Sequence, residues 1–167
     1  MGELSEFVGA TIKRIEGGFK ISQQKLIESL QDRFNVQPGN WTTPVAPGKI
    51  LMKDENDTLN NEMATIYRSG VGKMLYLTKL SRPELASAVQ ELSKFMGYST
   101  NDHFQAMHQA MRYTIDTKHH VLTLRPSNKF KNVIMGFSDS NYATNKDGKR
   151  SISGFAIYYN GALVSWK

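Results

Sequence analysis

The 167 residues include no cysteine. That excludes disulfides and thiolate metal ligands, and it suits a reducing compartment. No apolar run approaches the ~18 residues of a membrane-crossing helix. The opening MGELSEFVGA lacks the basic-then-apolar order of a secretory leader, so an intracellular, non-secreted protein is expected. Proline is scarce, and three of the five fall between residues 37 and 61. Histidine is scarce too. His103 and His108 are five apart and do not share a helix face, and His119 and His120 are adjacent. That spacing, without cysteine, argues against a structural zinc site, and partly exposed histidines are expected. A strained Gly-x-Ser-x-Gly turn is absent. Gly17-Gly18 lacks the Lys and Ser/Thr of a phosphate loop.

Acidic residues are outnumbered, 15 against 21 Lys and Arg, for a net charge of +6. The excess is concentrated late in the chain. Residues 1–128 carry 15 basic and 13 acidic side chains, whereas residues 129–167 carry 6 and 2. A basic end of this kind fits a polyanionic partner such as nucleic acid, or a solvated surface.

The patterning predicts an α+β protein in four parts. Residues 7–21, FVGATIKRIEGGFKI, read as a hairpin turning at Gly17-Gly18, followed by a helix capped by Ser22 and running to about Phe34. These make a first unit, 1–36. Residues 37–61 form a long connection, uncommon inside a compact domain and therefore a functional loop or a joint. Residues 62–120 form a small antiparallel bundle of three helices. Its first helix carries Ile66, Val71, Met74, Leu75 and Thr78 inward, with Gly70 and Gly72 permitting close approach of another backbone. Its second opens on a capping box, Ser81-Arg82-Pro83-Glu84, and its third starts after Thr100. Residues 121–167 form the last unit, with strands at 133–138, 152–159 and 162–166 and a tight turn at Asn160-Gly161. This antiparallel sheet has no covering helix. One face and an edge stay open, and Ile134, Phe137, Phe155, Ile157 and Trp166 either pack back on the helices or drive self-association.

Asp139, flanked by Ser138 and Ser140 at the end of an apolar strand, has two readings. It is a ligand for a hard divalent cation, or a strand-terminal carboxylate capping a turn.

The stretch 136-GFSDSNYATNKDGKRSISGFAIYYNGALVSW-166 resembles the start of the ribonuclease H domain in copia-type LTR retrotransposon Pol polyproteins. That family shows Ser-Asp-Ala-Asp-Trp-Ala-Gly, then Arg-Lys-Ser-Thr-Ser-Gly, then a hairpin ending in Ser-Trp. Ser138, Asp139 and Ala143 match the first stretch. Arg150, Ser151, Ser153 and Gly154 match the second, and Ser165-Trp166 the end. Asn141, Tyr142 and Thr144 stand where the family has Asp, Trp and Gly. Earlier, Phe7-Val8-Gly9, Ile21-Ser22-Gln23-Gln24-Lys25 and Leu30-x-x-Arg33-Phe34 resemble the region after the polymerase active-site hairpin. Tyr67-Arg68-Ser69-x-Val71-Gly72 and 81-SRPELASAVQELSKFM-96 resemble the thumb and connection. The motifs run in family order over nearly the whole chain.

The resemblance implies a fragment of a reverse transcriptase with ribonuclease H. The parent would use two Mg²⁺ ions. Asp139 would be the first of four carboxylate ligands, with the others beyond Lys167, and the polymerase Asp-Asp pair would precede Phe7. The isolated chain is therefore expected to be inactive and to bind no metal tightly. Implied contacts with an RNA–DNA hybrid or another nucleic-acid backbone are Phe7, Val8 and Gly9 near the primer end, and Lys146, Lys149 and Arg150 at phosphates. In a stand-alone module, Lys13, Arg14, Lys20 and Lys25 near the hairpin would join those three in one basic patch. The rest of the polyprotein is the other implied partner, and a cytoplasmic particle or the nucleus the implied location. Two alternatives stand beside it: a stand-alone basic nucleic-acid-binding or interaction module left from a retrotransposon, and a relic without function.

Overall fold

The computed structural model describes residues 5–54, 56–141 and 152–167, an α+β chain with two antiparallel sheets and a helical core. The first sheet contains β1 (Glu6–Phe7), β2 (Ala10–Ile15), β3 (Gly18–Ser22) and β4 (Leu122–Leu124), in that spatial order. Val8 and Gly9 join β1 to β2 with φ of 46° and 73°, as a two-residue turn with both residues left-handed requires. A β-branched residue is rare there. The Tyr76 hydroxyl donates to the Val8 carbonyl and ties this turn to a helix.

The second turn differs from expectation by one residue. Ile15 pairs with Gly18, so Glu16 and Gly17 make the turn and Gly18 belongs to the strand. Gly17 supplies the positive φ, 71°. Gly18 is needed for a different reason: a Cβ there would lie 2.2 Å from the Leu124 carbonyl oxygen of β4.

Four helices build the core: α1 (Gln24–Phe34), α2 (Asn61–Leu80), α3 (Ala86–Ser93) and α4 (Asn101–Asp116). Their apolar residues recur at helical spacing, and Ile27, Leu30, Tyr67, Val71, Met74, Leu77, Val89, Leu92, Met107 and Met111 are buried together. Tyr67 fits this apolar site because its hydroxyl donates to the Leu92 carbonyl at 2.7 Å. Gly70 lets α4 approach: a Cβ there would meet Met107 Sδ at 2.5 Å and Met111 Cε at 2.6 Å. These neighbours are side chains rather than backbone, and Gly72 faces open space.

Two expected caps do not form. Ser22 ends β3 and accepts the Gln24 N–H, while Gln23 takes the cap position. The Ser81–Glu84 box is replaced by a 3-10 turn over Pro83–Leu85. Ser81 Oγ instead donates to Gln23 Oε1 at 2.7 Å, and Glu84 receives Arg82 Nε at 2.5 Å. Ser81 thus serves a tertiary bond in place of the cap, and Glu84 an ion pair with Arg82 two residues away.

The long connection is irregular but anchored at both ends of α4. Asp116 accepts the N–H groups of Gly39 and Trp41, each at 2.9 Å. At the other end Thr58 bridges Thr100, Leu59 N donates to Ser99 O, and Asn101 Nδ2 donates to Asp57 at 2.6 Å.

His103 contradicts the expectation of partly exposed histidines, for it is fully buried. It completes the cap of α4: Thr100 Oγ1 accepts the His103 N–H, and His103 Nδ1 accepts the Thr100 N–H at 3.0 Å. The ring stacks on Phe95 with centroids 4.0 Å apart. Burial, aided by Lys49, holds its pKa below the ordinary value against the opposing pull of Asp102 and Asp57. Burial and Arg112 lower His108 in the same sense. The unfolded chain therefore binds these protons first. Stability should be full above about pH 6.5 and fall as pH drops below it. Urea midpoints at pH 7.5 and 5.5 check this. His103→Gln should shrink the fall, and a midpoint that does not move between the two pH values would refute it.

The second sheet is β5 (Ile134–Asn141), β6 (Ile152–Tyr159) and β7 (Ala162–Trp166), in sequential order. Asn160 and Gly161, with φ of 51° and 82°, form the expected tight turn. Trp166 Nε1 donates to the Thr78 carbonyl of α2 at 2.6 Å, and β7 lies against β4. Of the apolar residues expected to seek cover, Ile157 and Trp166 are half-buried, while Ile134 is 72% and Phe137 61% exposed.

Candidate nucleic-acid interface

β2 and β3 have two faces. Ala10, Ile12 and Arg14, with Phe19 and Ile21 opposite, form the inner one. Thr11, Lys13 and Ile15, with Ser22, Lys20 and Gly18 opposite, form the other. On this second face Lys13 and Lys20 are direct cross-strand partners, both exposed, and Thr123 of β4 stands beside Lys20. No described carboxylate pairs with either lysine. Like charges directly opposite on a sheet are destabilising.

Lys25, on α1, is engaged differently. Its ammonium meets Glu6 at 2.7 Å on the surface. The hydrogen bond and the charge attraction hold Glu6 below the usual carboxylate range and raise Lys25. Glu6 is the register partner of Thr11, so it reaches the lysine-bearing face already neutralised. Arg14 lies on the inner face, opposite Phe19, and lines a cleft of about 410 Å³ with Pro126, Tyr159 and Val164. Phe7, Val8 and Gly9 form the exposed turn at the sheet edge. The structure thus brings Lys13 and Lys20 together, sets Lys25 and the Phe7–Gly9 turn at the margin, and turns Arg14 away. Lys146, Lys149 and Arg150 lie outside the described residues.

Asp139 sits inside β5, not at its end, because the strand continues to Asn141. It pairs in register with Gly154, is exposed, and shares a face with Phe137. The turn-capping reading is thereby removed. Among the described residues no group of three His, Asp or Glu side chains could hold a metal ion. A lone exposed carboxylate does not fit a two-Mg²⁺ centre, which needs several anionic ligands around hydrated ions.

Comparison with known proteins places the chain. It is 33% identical over 165 residues to the retrovirus-related Pol polyprotein from transposon RE1 of Arabidopsis thaliana, covering 98% of this chain and 11% of that one. Along nearly its whole length the chain is similar to Pol polyproteins of copia-type transposons. It is also 29% identical over 174 residues to the polyprotein from transposon TNT 1-94 of Nicotiana tabacum, covering all of this chain and 13% of that one. It therefore spans little more than a tenth of the length of these Pol relatives. A shorter relative is the secreted RxLR effector protein 161 of Plasmopara viticola, 36% identical over 101 residues, which are 60% of this chain and 70% of the effector. No family model and no solved structure matches the chain.

Sequence reading missed the Lys13–Lys20 pairing although it singled out both residues. The signal was present: the two lysines are symmetrical about the dipeptide Glu16-Gly17, which is the true turn. On the first sheet Lys13 and Lys20, which no described carboxylate pairs, have flanking hydroxyls at Thr11, Ser22 and Thr123, a set suited to anionic oxygens.

Proposed function

We propose that this chain is the part of a reverse transcriptase with ribonuclease H that lies between the two active sites. It would grip nucleic-acid backbone without carrying out chemistry itself. Similarity to Pol polyproteins along 98% of the chain carries this reading. The basic sheet face supports it. The polymerase Asp-Asp pair and the remaining ribonuclease H carboxylates would come from the rest of the polyprotein, and Mg²⁺ would bind only once Asp139 has those partners. RNA–DNA hybrid is the proposed ligand, inside a cytoplasmic particle or the nucleus.

Fluorescence anisotropy with a labelled RNA–DNA hybrid tests this. Log affinity should fall linearly with log salt, by roughly 0.9 per phosphate engaged. Incubation of the same hybrid with the chain and Mg²⁺ should give no cleavage. Affinity indifferent to salt would sink the backbone contact. Hydrolysis abolished by Asp139→Asn would overturn the inactivity.

A second reading is a stand-alone binding or interaction module derived from a retrotransposon. It is favoured by the short effector relative, 70% of whose length aligns with this chain. The intact mass of the native product separates the two: a much longer product supports the first, and one near 18.9 kDa the second.

A further inference from the structure

We propose that Lys13 and Lys20 form a two-pronged clamp for a single backbone phosphate, with Lys25 held out of the site by Glu6. This rests on the nucleic-acid-binding reading above and adds which phosphate contacts act as a unit. Direct cross-strand partners have Cβ atoms about 5 Å apart. Two long, flexible lysine stems rooted there can bring both ammonium groups onto one phosphate's oxygens. β3 is hydrogen-bonded on both sides, to β2 and to β4, so the roots of the clamp are fixed by the sheet.

The pair is costly without a ligand. Both side chains are exposed, directly opposed and alike in charge, and the nearby Glu6 carboxylate is occupied by Lys25 at 2.7 Å. A phosphodiester between the two ammonium groups turns that repulsion into two charge-assisted hydrogen bonds. Thr11, Ser22 and Thr123 share the face and place hydroxyls beside the pair. Arg14, one residue along β2, points to the opposite face and takes no part.

The test uses the full chain, a labelled RNA–DNA hybrid and the variants Lys13→Ala, Lys20→Ala, the double variant of those two, and Lys25→Ala combined with Glu6→Gln. Each of the first two should weaken binding about tenfold. The double variant should be little worse than either, because the lysines share one phosphate. The salt slope should drop by about 0.9 once, not twice. Lys25→Ala combined with Glu6→Gln, which keeps the freed carboxylate off the clamp face, should leave the slope unchanged. Without hybrid, both single variants should raise the thermal midpoint by relieving repulsion. Inorganic phosphate should raise the wild-type midpoint over chloride at equal ionic strength, but not that of the double variant.

Additive losses with two slope decrements would replace the clamp by two separate contacts. Single variants that bind hybrid like wild type would remove it while leaving the wider reading intact. A wild-type chain that ignores hybrid but is stabilised by phosphate through Lys13 and Lys20 would overturn the wider reading and keep the anion clamp. A chain indifferent to both would end both.

Discussion

Glu84→Ala should destabilise the protein by about 3 kcal/mol, the low end of what removing one partner from a buried ion pair costs. Arg82 is fully buried at 1% exposure. Its Nε donates to Glu84, its Nη2 donates to Thr117 Oγ1 at 2.6 Å, and the guanidinium lies 6.0 Å from the Tyr113 ring. Nη1 has no described hydrogen-bond partner. Glu84 is therefore the charge that makes this burial tolerable. Removing it strands a guanidinium that cannot lose its proton. The Glu84 side chain is 36% exposed, so water can partly replace it, which is why the low end of the range applies. Arg82→Met should cost less although it deletes more atoms. It removes the buried charge, and the carboxylate it leaves can hydrate. Urea denaturation of the two variants decides the matter. A larger loss for Arg82→Met would mean that packing, not charge, dominates the site.

Leu77→Ala should cost about 2–5 kcal/mol, the range for truncating a buried leucine in a core that cannot collapse. Leu77 has no exposed surface and lies on α2 among Tyr67, Val71 and Met74. Its backbone is fixed as well, since its carbonyl accepts both the Ser81 and Arg82 N–H groups, so the helix end cannot shift to fill the gap. The thermal midpoint should fall by roughly 10 °C for a chain of this size. Ile134→Ala is the contrast. At 72% exposure it should change stability by less than about 0.5 kcal/mol. A large loss there would show that the open sheet is covered in solution, by self-association, and sedimentation would then find oligomers.

Much of this protein is legible without coordinates. The 3.6-residue recurrence of Leu30, Val71, Met74, Leu92, Met107 and Met111 places the helical core, because only one helix face can leave water. Asn160-Gly161 places the last hairpin, because both residues tolerate positive φ. The order of motifs, from Phe7-Val8-Gly9 to Ser165-Trp166, gives the similarity to Pol polyproteins.

What sequence could not decide is every property set by residues distant in the chain. The hairpin turn is the sharpest case. A turn at Gly17-Gly18 would set Lys13 opposite Ser22 and Lys20 opposite Ile15. The turn at Glu16-Gly17 sets the two lysines face to face. Either glycine can accept a turn on local grounds. The choice falls one residue earlier because β4, a hundred residues away, presses the Leu124 carbonyl where only a residue without a Cβ fits. Burial of His103 is likewise non-local, since Phe95 and Tyr67 cover its ring. Periodicity reports which face a segment hides. Register, and so which charges must meet, depends on which distant backbone arrives to be hidden against.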